Sequence, residues 1–184
     1  MSSLELLSKI EEVLELFQYA RILAKRKKAF HVTEITKAIA SPRSHRRLNG
    51  AEVGRKAHEV LWSLDPYIVL QEDCVSLPFP LAAEIEVNNR KYIIYGVPDL
   101  VLFKSGVPKK VYEFKSYLDK DKYSIVQTQI YAWLTWKCFS ISPKAYLILG
   151  WNGHSYKEKI EVKYNIKEVE EEIKKAVMKI VSSN

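Results

Sequence analysis

The sequence is poor in cysteine. Of its 184 residues only Cys74 and Cys138 are cysteines, and they stand far apart in apolar surroundings, without a Cys-x-x-Cys pair or a neighbouring histidine cluster. This pattern lacks the ligand spacing of a structural zinc site. We expect both cysteines to be buried, reduced thiols.

Long apolar runs are also missing. No stretch approaches the roughly 20 apolar residues that a membrane-spanning helix needs, and no charged-then-apolar signal sequence stands at the start of the chain. We therefore expect a cytoplasmic protein with no membrane partner. Repeats and low-complexity linkers are absent from the sequence as well. We predict one domain over 1–184, with a helical extension (1–32), a core (33–150) and a C-terminal strand and helix (151–184).

The charged residues favour positive charge. Lysine and arginine together number 29 against 22 aspartates and glutamates, which gives a formal net charge of +7. A basic protein of this kind suits polyanionic partners, nucleic acid above all, although a lysine-rich protein without such a partner has the same composition. The hydrophobic content of 47% is enough for one sizeable core.

Hydrophobic periodicity and end signals predict a mixed α/β domain. The predicted helices cover Leu4 to about Lys28, a short segment that Thr33 caps and that stops before Pro42, about Glu52 to Leu64, Asp121 to about Phe139, and a last helix that Asn165 caps and that runs through Val181. The predicted strands cover Tyr67–Leu77, Leu81–Val87, Lys91–Val97, Leu100–Lys104, Lys110–Tyr117, Lys144–Gly150 and Ser155–Lys163. Turns are expected at Asn88-Asn89, at Ser105-Gly106-Val107-Pro108 and at Asn152-Gly153.

Glu113 and Lys115 are the first candidate site residues. Because side chains alternate between the faces of a strand, these two share one face while Phe114 points to the other. The strand thus presents an acid and a base side by side. An ordinary surface ion pair has the same pattern, so the motif alone leaves both interpretations open.

Asp99 is a carboxylate in an otherwise apolar stretch. Burying an unpaired charge is costly, so Asp99 either meets a cation or caps the preceding turn. The turn at Ser105-Gly106 makes the strands that carry Asp99 and Glu113 antiparallel neighbours, so the two carboxylates could converge on one cation. Magnesium prefers such oxygen ligands.

His58 is a candidate third ligand, from the preceding predicted helix. Imidazole shifts the preference toward manganese or another transition metal. Gly54 stands one turn earlier on that helix and would allow a backbone or a substrate to approach closely. A core or surface histidine without a metal is the alternative.

These residues resemble the RecB-like branch of the PD-(D/E)xK nucleases, including the CRISPR-associated RecB-like exonucleases. Gly54-x-x-x-His58-Glu59 resembles the histidine motif of that family and Gly96-Val97-Pro98-Asp99 its aspartate motif. Glu113-Phe114-Lys115 resembles the acidic-x-Lys motif, and Gln127-Thr128-Gln129-Ile130-Tyr131 the Gln-x-x-x-Tyr motif of the RecB-like branch. The four motifs occur in the family's order, and the resemblance runs from about Thr33 to Gly150.

The resemblance implies a restriction-endonuclease-like αβββαβ core with a central mixed sheet flanked by helices, plus an extra N-terminal helix. It implies phosphodiester hydrolysis with Mg²⁺ or Mn²⁺ held by His58, Asp99, Glu113 and the Phe114 carbonyl. Lys115 would then orient water or neutralise developing charge. Gln127 and Tyr131, four residues apart on one helix face, would point at the site or the DNA.

The chain departs from the family at the cysteines. Many CRISPR-associated relatives hold an iron–sulfur cluster, but Ser41-Pro42-Arg43 stands here in place of a Cys-Pro-Arg and no cysteine follows Cys138. Two cysteines cannot supply four thiolates. We therefore expect no iron–sulfur cluster.

The sequence as a whole favours a metal-dependent deoxyribonuclease, and the resemblance to RecB-like nucleases implies an exonuclease on single-stranded or frayed DNA ends. Candidate phosphate contacts are Arg43, Arg46, Arg47, Arg55 and Lys56. Three alternatives stay open: a structure-specific endonuclease acting as a dimer, a non-catalytic DNA-binding subunit of a recombination or CRISPR-adaptation complex, and a nuclease that takes RNA. The protein could act as a homo-oligomer or together with a partner from a recombination complex.

Overall fold

A computed structural model of the chain describes residues 3–41 and 74–183. In that part of the chain the helices are α1 (Ser3–Ala24), α2 (Val32–Ile39), α3 (Lys122–Phe139) and α4 (Ile166–Ser182). The strands are β1 (Ala29–His31), β2 (Cys74–Leu77), β3 (Leu81–Val87), β4 (Arg90–Gly96), β5 (Leu100–Lys104), β6 (Val107–Lys115), β7 (Lys144–Leu149) and β8 (Glu158–Val162). The predicted helix from Glu52 to Leu64 and the start of the predicted strand at Tyr67 lie outside the described residues.

The strands form two mixed sheets. Sheet one has the order β1-β4-β3 and sheet two the order β2-β5-β6-β7-β8. The pairs β1–β4 and β6–β7 are parallel, and the others are antiparallel. The predicted α/β class with mixed sheet and N-terminal helix is confirmed. The chain enters sheet two at β2, returns to sheet one for β3 and β4, and comes back to sheet two at β5, which pairs with β2 and β6.

The first two helices differ in detail from the prediction. Helix α1 ends at Ala24 rather than near Lys28, because Lys27 adopts a left-handed backbone with φ 55°. The chain then forms the short unpredicted strand β1. The predicted cap at Thr33 is wrong: His31 is the N-cap of α2, its Nδ1 accepts the Thr33 N–H at 3.2 Å, and the Glu34 carboxylate accepts the His31 N–H at 2.8 Å. This reciprocal pair is a capping box.

The hairpins form where the turn residues predict them. Asn88 and Asn89 both have positive φ, 51° and 58°, as a tight two-residue turn between β3 and β4 requires. Between β5 and β6 the turn is shorter than predicted, because Val107 already belongs to the strand. Pro108 then lies opposite Phe103, where the register of the ladder shifts. The strand predicted over Ser155–Lys163 is limited to β8.

Helices α3 and α4 begin at the residues that the sequence predicts. Asp121 accepts the Ser124 N–H at 2.8 Å, and Asn165 accepts from the N–H groups of Lys167 and Glu168 at 2.9 and 3.3 Å. Helix α3 is buried around its circumference because it packs against both sheets and the other helices. Its fully buried side chains include Ile130, Trp133 and Leu134.

The main core joins the two sheets. Its buried side chains come from all four described helices and from strands of both sheets, and include Val13, Ile35, Ile94, Val111 and Ile173. A smaller cluster of Phe114, Ile148 and Trp151 lies apart from this core, with Leu100, Tyr112 and Tyr146 against it. Phe114 therefore points away from the face that carries Glu113, as strand alternation predicts.

The two thiols differ in burial. Cys138 is buried and its thiol lies 3.3 Å from the carbonyl oxygen of Ala82, and burial raises its pKa to about 12. Cys74 is only half-buried, contrary to the prediction, because it stands on β2 at the edge of sheet two. Within 3–41 and 74–183 no helix is long and apolar enough to cross a bilayer.

Candidate active site

The β5–β6 hairpin brings the two predicted carboxylates together. Leu100 pairs with Tyr112 in antiparallel register, so Asp99 lies opposite Glu113, one position beyond the last pair. Both side chains are buried, with 5% of Asp99 and 3% of Glu113 exposed. The prediction that these acids stand on neighbouring antiparallel segments is confirmed.

Asp99 is anchored to the backbone of β6. Its Oδ2 accepts the N–H of Phe114 at 2.7 Å. This charge-assisted bond fixes the carboxylate against the strand that carries Glu113 and Lys115. This contact does not cap the preceding turn, as one interpretation of the sequence had it, since it joins Asp99 to a residue of the neighbouring strand.

Lys115 connects the strand to helix α3. Its ammonium donates to Glu113 Oε1 at 2.7 Å and to Gln127 Oε1 at 2.9 Å. The side chains of Lys115 and Glu113 are only 15% and 4% exposed. Glu113 is therefore buried and Lys115 largely so, and the exposed surface ion pair that the sequence left open is wrong. Gln127, also buried, brings α3 into the site through this contact.

The electrostatics of the site hold Lys115 protonated. Burial by itself lowers the pKa of Lys115, but the charge and hydrogen bond of Glu113, with the charge of Asp99 in addition, outweigh it and raise that pKa above its usual value. Burial, together with the negative charges of Glu113 and Asp99, raises the pKa of Tyr131 well above its usual range. Lys115 is thus a fixed positive charge, and the Tyr131 hydroxyl stays neutral.

One face of α3 is directed at the site. Tyr123, Gln127 and Tyr131 recur at intervals of four residues, which places them on one side of the helix. Burial deepens along this row: Tyr123 is half-buried, Gln127 is 8% exposed and Tyr131 only 2%. The Tyr123 end of the row thus lies nearest the solvent.

Gly96 explains why a small residue opens the aspartate motif. A Cβ at this position would lie 3.0 Å from Cε1 of Tyr131 and 2.9 Å from Cγ2 of Val32. Real Cβ atoms hardly tolerate such distances. Glycine therefore allows β4 to pack directly on the Tyr131 ring, which in turn positions α3 against the carboxylates.

Sequence reasoning missed Tyr117 and Ser124. The two hydroxyls lie 2.6 Å apart, and the charge of Lys115 acts on Tyr117, although burial is the main influence and raises the Tyr117 pKa. The predicted strand Lys110–Tyr117 is too long, because β6 ends at Lys115, so strand alternation does not by itself place Tyr117 in the site. Ser124 gives no sequence signal, because its contact with Tyr117 depends on how α3 docks.

The remaining predicted site residues lie outside the described residues. These are His58 with its motif partners Gly54 and Glu59, and the candidate phosphate contacts Arg43, Arg46, Arg47, Arg55 and Lys56. In the described ranges no group of three or more His, Cys, Asp or Glu side chains could hold a metal ion. Asp99 and Glu113 supply two carboxylates in this part of the chain, and these fit Mg²⁺ or Mn²⁺, because magnesium sites often use only one or two protein carboxylates.

The chain has a structural relative among solved proteins. It is similar to the crystal structure of SSO0001 with a TM-score of 0.52 and 19% sequence identity, over 86% of this chain and 85% of that one. No family model and no curated protein matches the sequence. At this identity the likeness shows a common fold, and the α/β architecture that holds the Asp99–Glu113–Lys115 cluster is therefore one that SSO0001 has as well.

Proposed function

We propose that the protein is an intracellular, divalent-metal-dependent DNA nuclease with its active centre at Asp99, Glu113 and Lys115. The observation that carries the proposal is the largely buried Lys115 ammonium, which bonds the buried side chains of Glu113 and Gln127 beside a second buried carboxylate, Asp99. Two buried acids and a largely buried cation cost free energy that a purely structural role does not require. Perturbed titratable groups of this kind concentrate at functional sites.

Each residue has a distinct role in hydrolysis. Asp99 and Glu113, with His58 and the Phe114 carbonyl, would hold Mg²⁺ or Mn²⁺, which when bound polarises the phosphate and lowers the pKa of a water. Lys115 stabilises the negative charge that develops on the phosphate. Because its pKa is raised, Lys115 acts as a positive charge and orients the water, and it does not accept the proton.

Helix α3 keeps Lys115 in place. The Gln127 amide oxygen accepts one hydrogen bond from the ammonium, so the ammonium is held between the strand and the helix rather than turned into solvent. Tyr131 lies four residues further on the same face and fills the space beside Gly96. The order of the four motifs, similar to RecB-like nucleases, favours an exonuclease on single-stranded or frayed DNA ends.

The test is cleavage of end-labelled DNA by the full chain. Linear single strands, linear duplex, circular single strands and RNA are each incubated with Mg²⁺, with Mn²⁺ and with EDTA. We expect degradation of linear single-stranded DNA that needs the metal. We expect Asp99→Asn, Glu113→Gln and Lys115→Met to lower the rate by about 10²-fold or more, the usual size of a lost charge-stabilising group.

The matched control is the exposed pair on sheet one. Lys91 and Glu84 also form an ion pair, at 3.0 Å, with 73% and 51% of their side chains exposed. Glu84→Gln and Lys91→Met should leave cleavage unchanged. Cutting of circular DNA would show an endonuclease instead of an exonuclease, and preference for RNA would show that RNA is the substrate. Cleavage retained in Asp99→Asn would refute the assignment of the active site.

A further inference from the structure

The face of sheet two opposite the candidate active site carries tyrosines and lysines together. Tyr112 on β6 and Tyr146 on β7 are register partners, and their rings stack with centroids 5.3 Å apart and planes at 21°. The Lys159 ammonium lies 4.4 Å from the centroid of Tyr146 and 5.4 Å from that of Tyr112. In the described part of the chain, the helix that packs on sheet two is α3, and it contacts the other face.

Further residues of the same types surround this pair. Lys144 precedes Tyr146 by two positions on β7 and so shares its face, and Glu161 is the register partner of Tyr146 on β8. Lys163 bonds Glu161 at 2.7 Å, with 84% of its side chain exposed. Tyr156 is 51% exposed and lies near enough to Tyr112 to influence its pKa. We name Tyr112, Tyr146, Tyr156, Lys144, Lys159 and Lys163 the tyrosine–lysine face.

The charge of this face is positive. Lys144 and Lys159 are exposed, and Lys163 is the partner of Glu161. Such a surface suits a polyanion, and the tyrosine rings indicate which class of polyanion it binds. A stacked tyrosine pair with a neighbouring exposed tyrosine offers flat apolar surfaces, to which unpaired nucleobases bind by stacking. In a duplex the base faces are hidden, so the rings favour a single strand.

We propose that the tyrosine–lysine face binds single-stranded nucleic acid, with bases stacked on Tyr146 and Tyr156 and phosphates on Lys144, Lys159 and Lys163. The Lys159 ammonium leaves the ring face of Tyr146 to pair with a phosphate, and a base takes its place over the ring. Both exchanges keep a favourable contact for each group, since rings stack with bases and ammonium groups pair with phosphates.

The face is separate from the catalytic cluster. Tyr112 and Glu113 are consecutive on β6 and point to opposite sides of the sheet, so a strand on the tyrosine–lysine face does not occupy the Lys115 site. It acts as an exosite that holds the substrate at a second point. This inference rests on the proposed function only in taking nucleic acid as the ligand, since binding is measured without cleavage.

The test is fluorescence anisotropy of a labelled oligo(dT) of about 20 nucleotides with the full chain in EDTA, at several salt concentrations. The variant Lys144→Gln/Lys159→Gln/Lys163→Gln should bind at least tenfold more weakly, and the slope of log K against log salt should fall by about 2, the loss of three contacts to a single strand. Tyr146→Ala/Tyr156→Ala should bind about tenfold more weakly or worse, with the salt slope retained.

Matched variants control for fold and total charge. Lys9→Gln/Lys91→Gln/Lys175→Gln removes three lysines that form exposed ion pairs elsewhere and should bind like the wild type. Tyr146→Phe/Tyr156→Phe keeps the rings and should restore affinity, which a misfolded variant would not do. The circular dichroism spectrum of each variant checks its fold.

Three results would overturn the proposal. One is equal weakening by the control lysines. The second is a loss of duplex and heparin binding in the tyrosine variants that equals their loss of oligo(dT) binding, because this would show that the surface binds polyanions in general. The third is a loss of binding to anionic vesicles in the lysine and tyrosine variants without any loss of binding to oligo(dT). The proposed nuclease function is judged separately: a wild type that binds through this face but never cleaves would refute the nuclease while supporting the exosite.

Discussion

The most informative single residue is Lys115, because it is a largely buried cation whose two partners, Glu113 and Gln127, are buried and lie on different elements. Removing one member of a buried ion pair leaves the other charge in a poorly solvated place. An exposed pair such as Lys91–Glu84 has no comparable effect, since water replaces the lost partner. The site is therefore coupled to stability, and its substitutions act on folding as well as on cleavage.

The Lys115→Met variant should lower the free energy of unfolding by about 3–5 kcal/mol, the usual cost of breaking a buried pair. The double variant Glu113→Gln/Lys115→Met should recover part of this loss, because the uncompensated carboxylate is then gone. Urea denaturation of both variants and of the Lys91→Met control measures the effect. Equal losses in Lys115→Met and Lys91→Met would contradict it.

His31 should make stability depend on pH. Burial lowers the pKa of His31 below 6.5, and Glu34 opposes this only in part, so the folded state favours neutral imidazole. Neutral Nδ1 accepts the Thr33 N–H, a bond that protonation removes. The stabilisation is complete above about pH 6.5 and is lost as pH falls through the lower folded pKa. We expect a loss of about 1 kcal/mol, the size of an N-cap.

The measurement compares the wild type with His31→Asn by urea denaturation from pH 7.5 downward. Asparagine is also a good N-cap and does not titrate in this range. The wild type should lose stability relative to His31→Asn as the pH falls. Parallel curves for the two proteins would show that His31 does not contribute to the pH dependence.

Among the elements, the contact of β4 with α3 decides how the site is assembled. Gly96 ends β4 with no side chain, and this lets the strand lie against Tyr131 of α3 and Val32 of α2. The segment from Gly96 to Asp99 thus contributes in two ways. Gly96 at its start allows close packing, and Asp99 at its end supplies a carboxylate to the candidate site. The helix and the carboxylate are positioned by the same four residues.

Gly96→Ala should lower the free energy of unfolding by about 1–3 kcal/mol, because the new methyl group overpacks a filled core. In an open strand the same change would stabilise, since alanine restricts the unfolded chain. Removing the Val32 methyl groups should relieve one of the two close contacts. Gly96→Ala/Val32→Ala should therefore lose less than the sum of the single variants, and strict additivity would argue against the contact as the cause.

At the scale of the whole molecule, one core connects the two sheets. Ile94 of sheet one and Val111 of sheet two are both fully buried members of the same cluster, and α3 packs on each sheet. Neither sheet can lose its packing without exposing side chains of the other. The two sheets should consequently unfold together.

Urea unfolding followed by tryptophan fluorescence and by far-ultraviolet circular dichroism should give coincident single transitions. Ile94→Val in sheet one and Val111→Ala in sheet two should each move both curves to lower urea by the same amount for the two probes. A variant that moved one curve alone, or a second transition, would indicate that the sheets unfold as separate units.

The sequence by itself determined what depends on a few neighbouring residues. The Asn88-Asn89 turn, the helix start at Asp121, the cap at Asn165 and the shared face of Glu113 and Lys115 follow from local backbone geometry. Local chemistry also has limits, because β1 and the His31 cap were missed. A three-residue strand has no periodicity of its own and exists only through its pairing with β4.

The tertiary structure alone decided what depends on distant contacts. The division into two sheets, the parallel pairing of β6 with β7 and the burial of Lys115 all arise from residues far apart in the chain. The sequence shows that Glu113 and Lys115 can pair, but not whether the pair is buried, because burial depends on the elements that pack over it. Here that element is α3, whose Gln127 bonds Lys115. For the same reason the tyrosine–lysine face becomes visible only when β6, β7 and β8 are side by side.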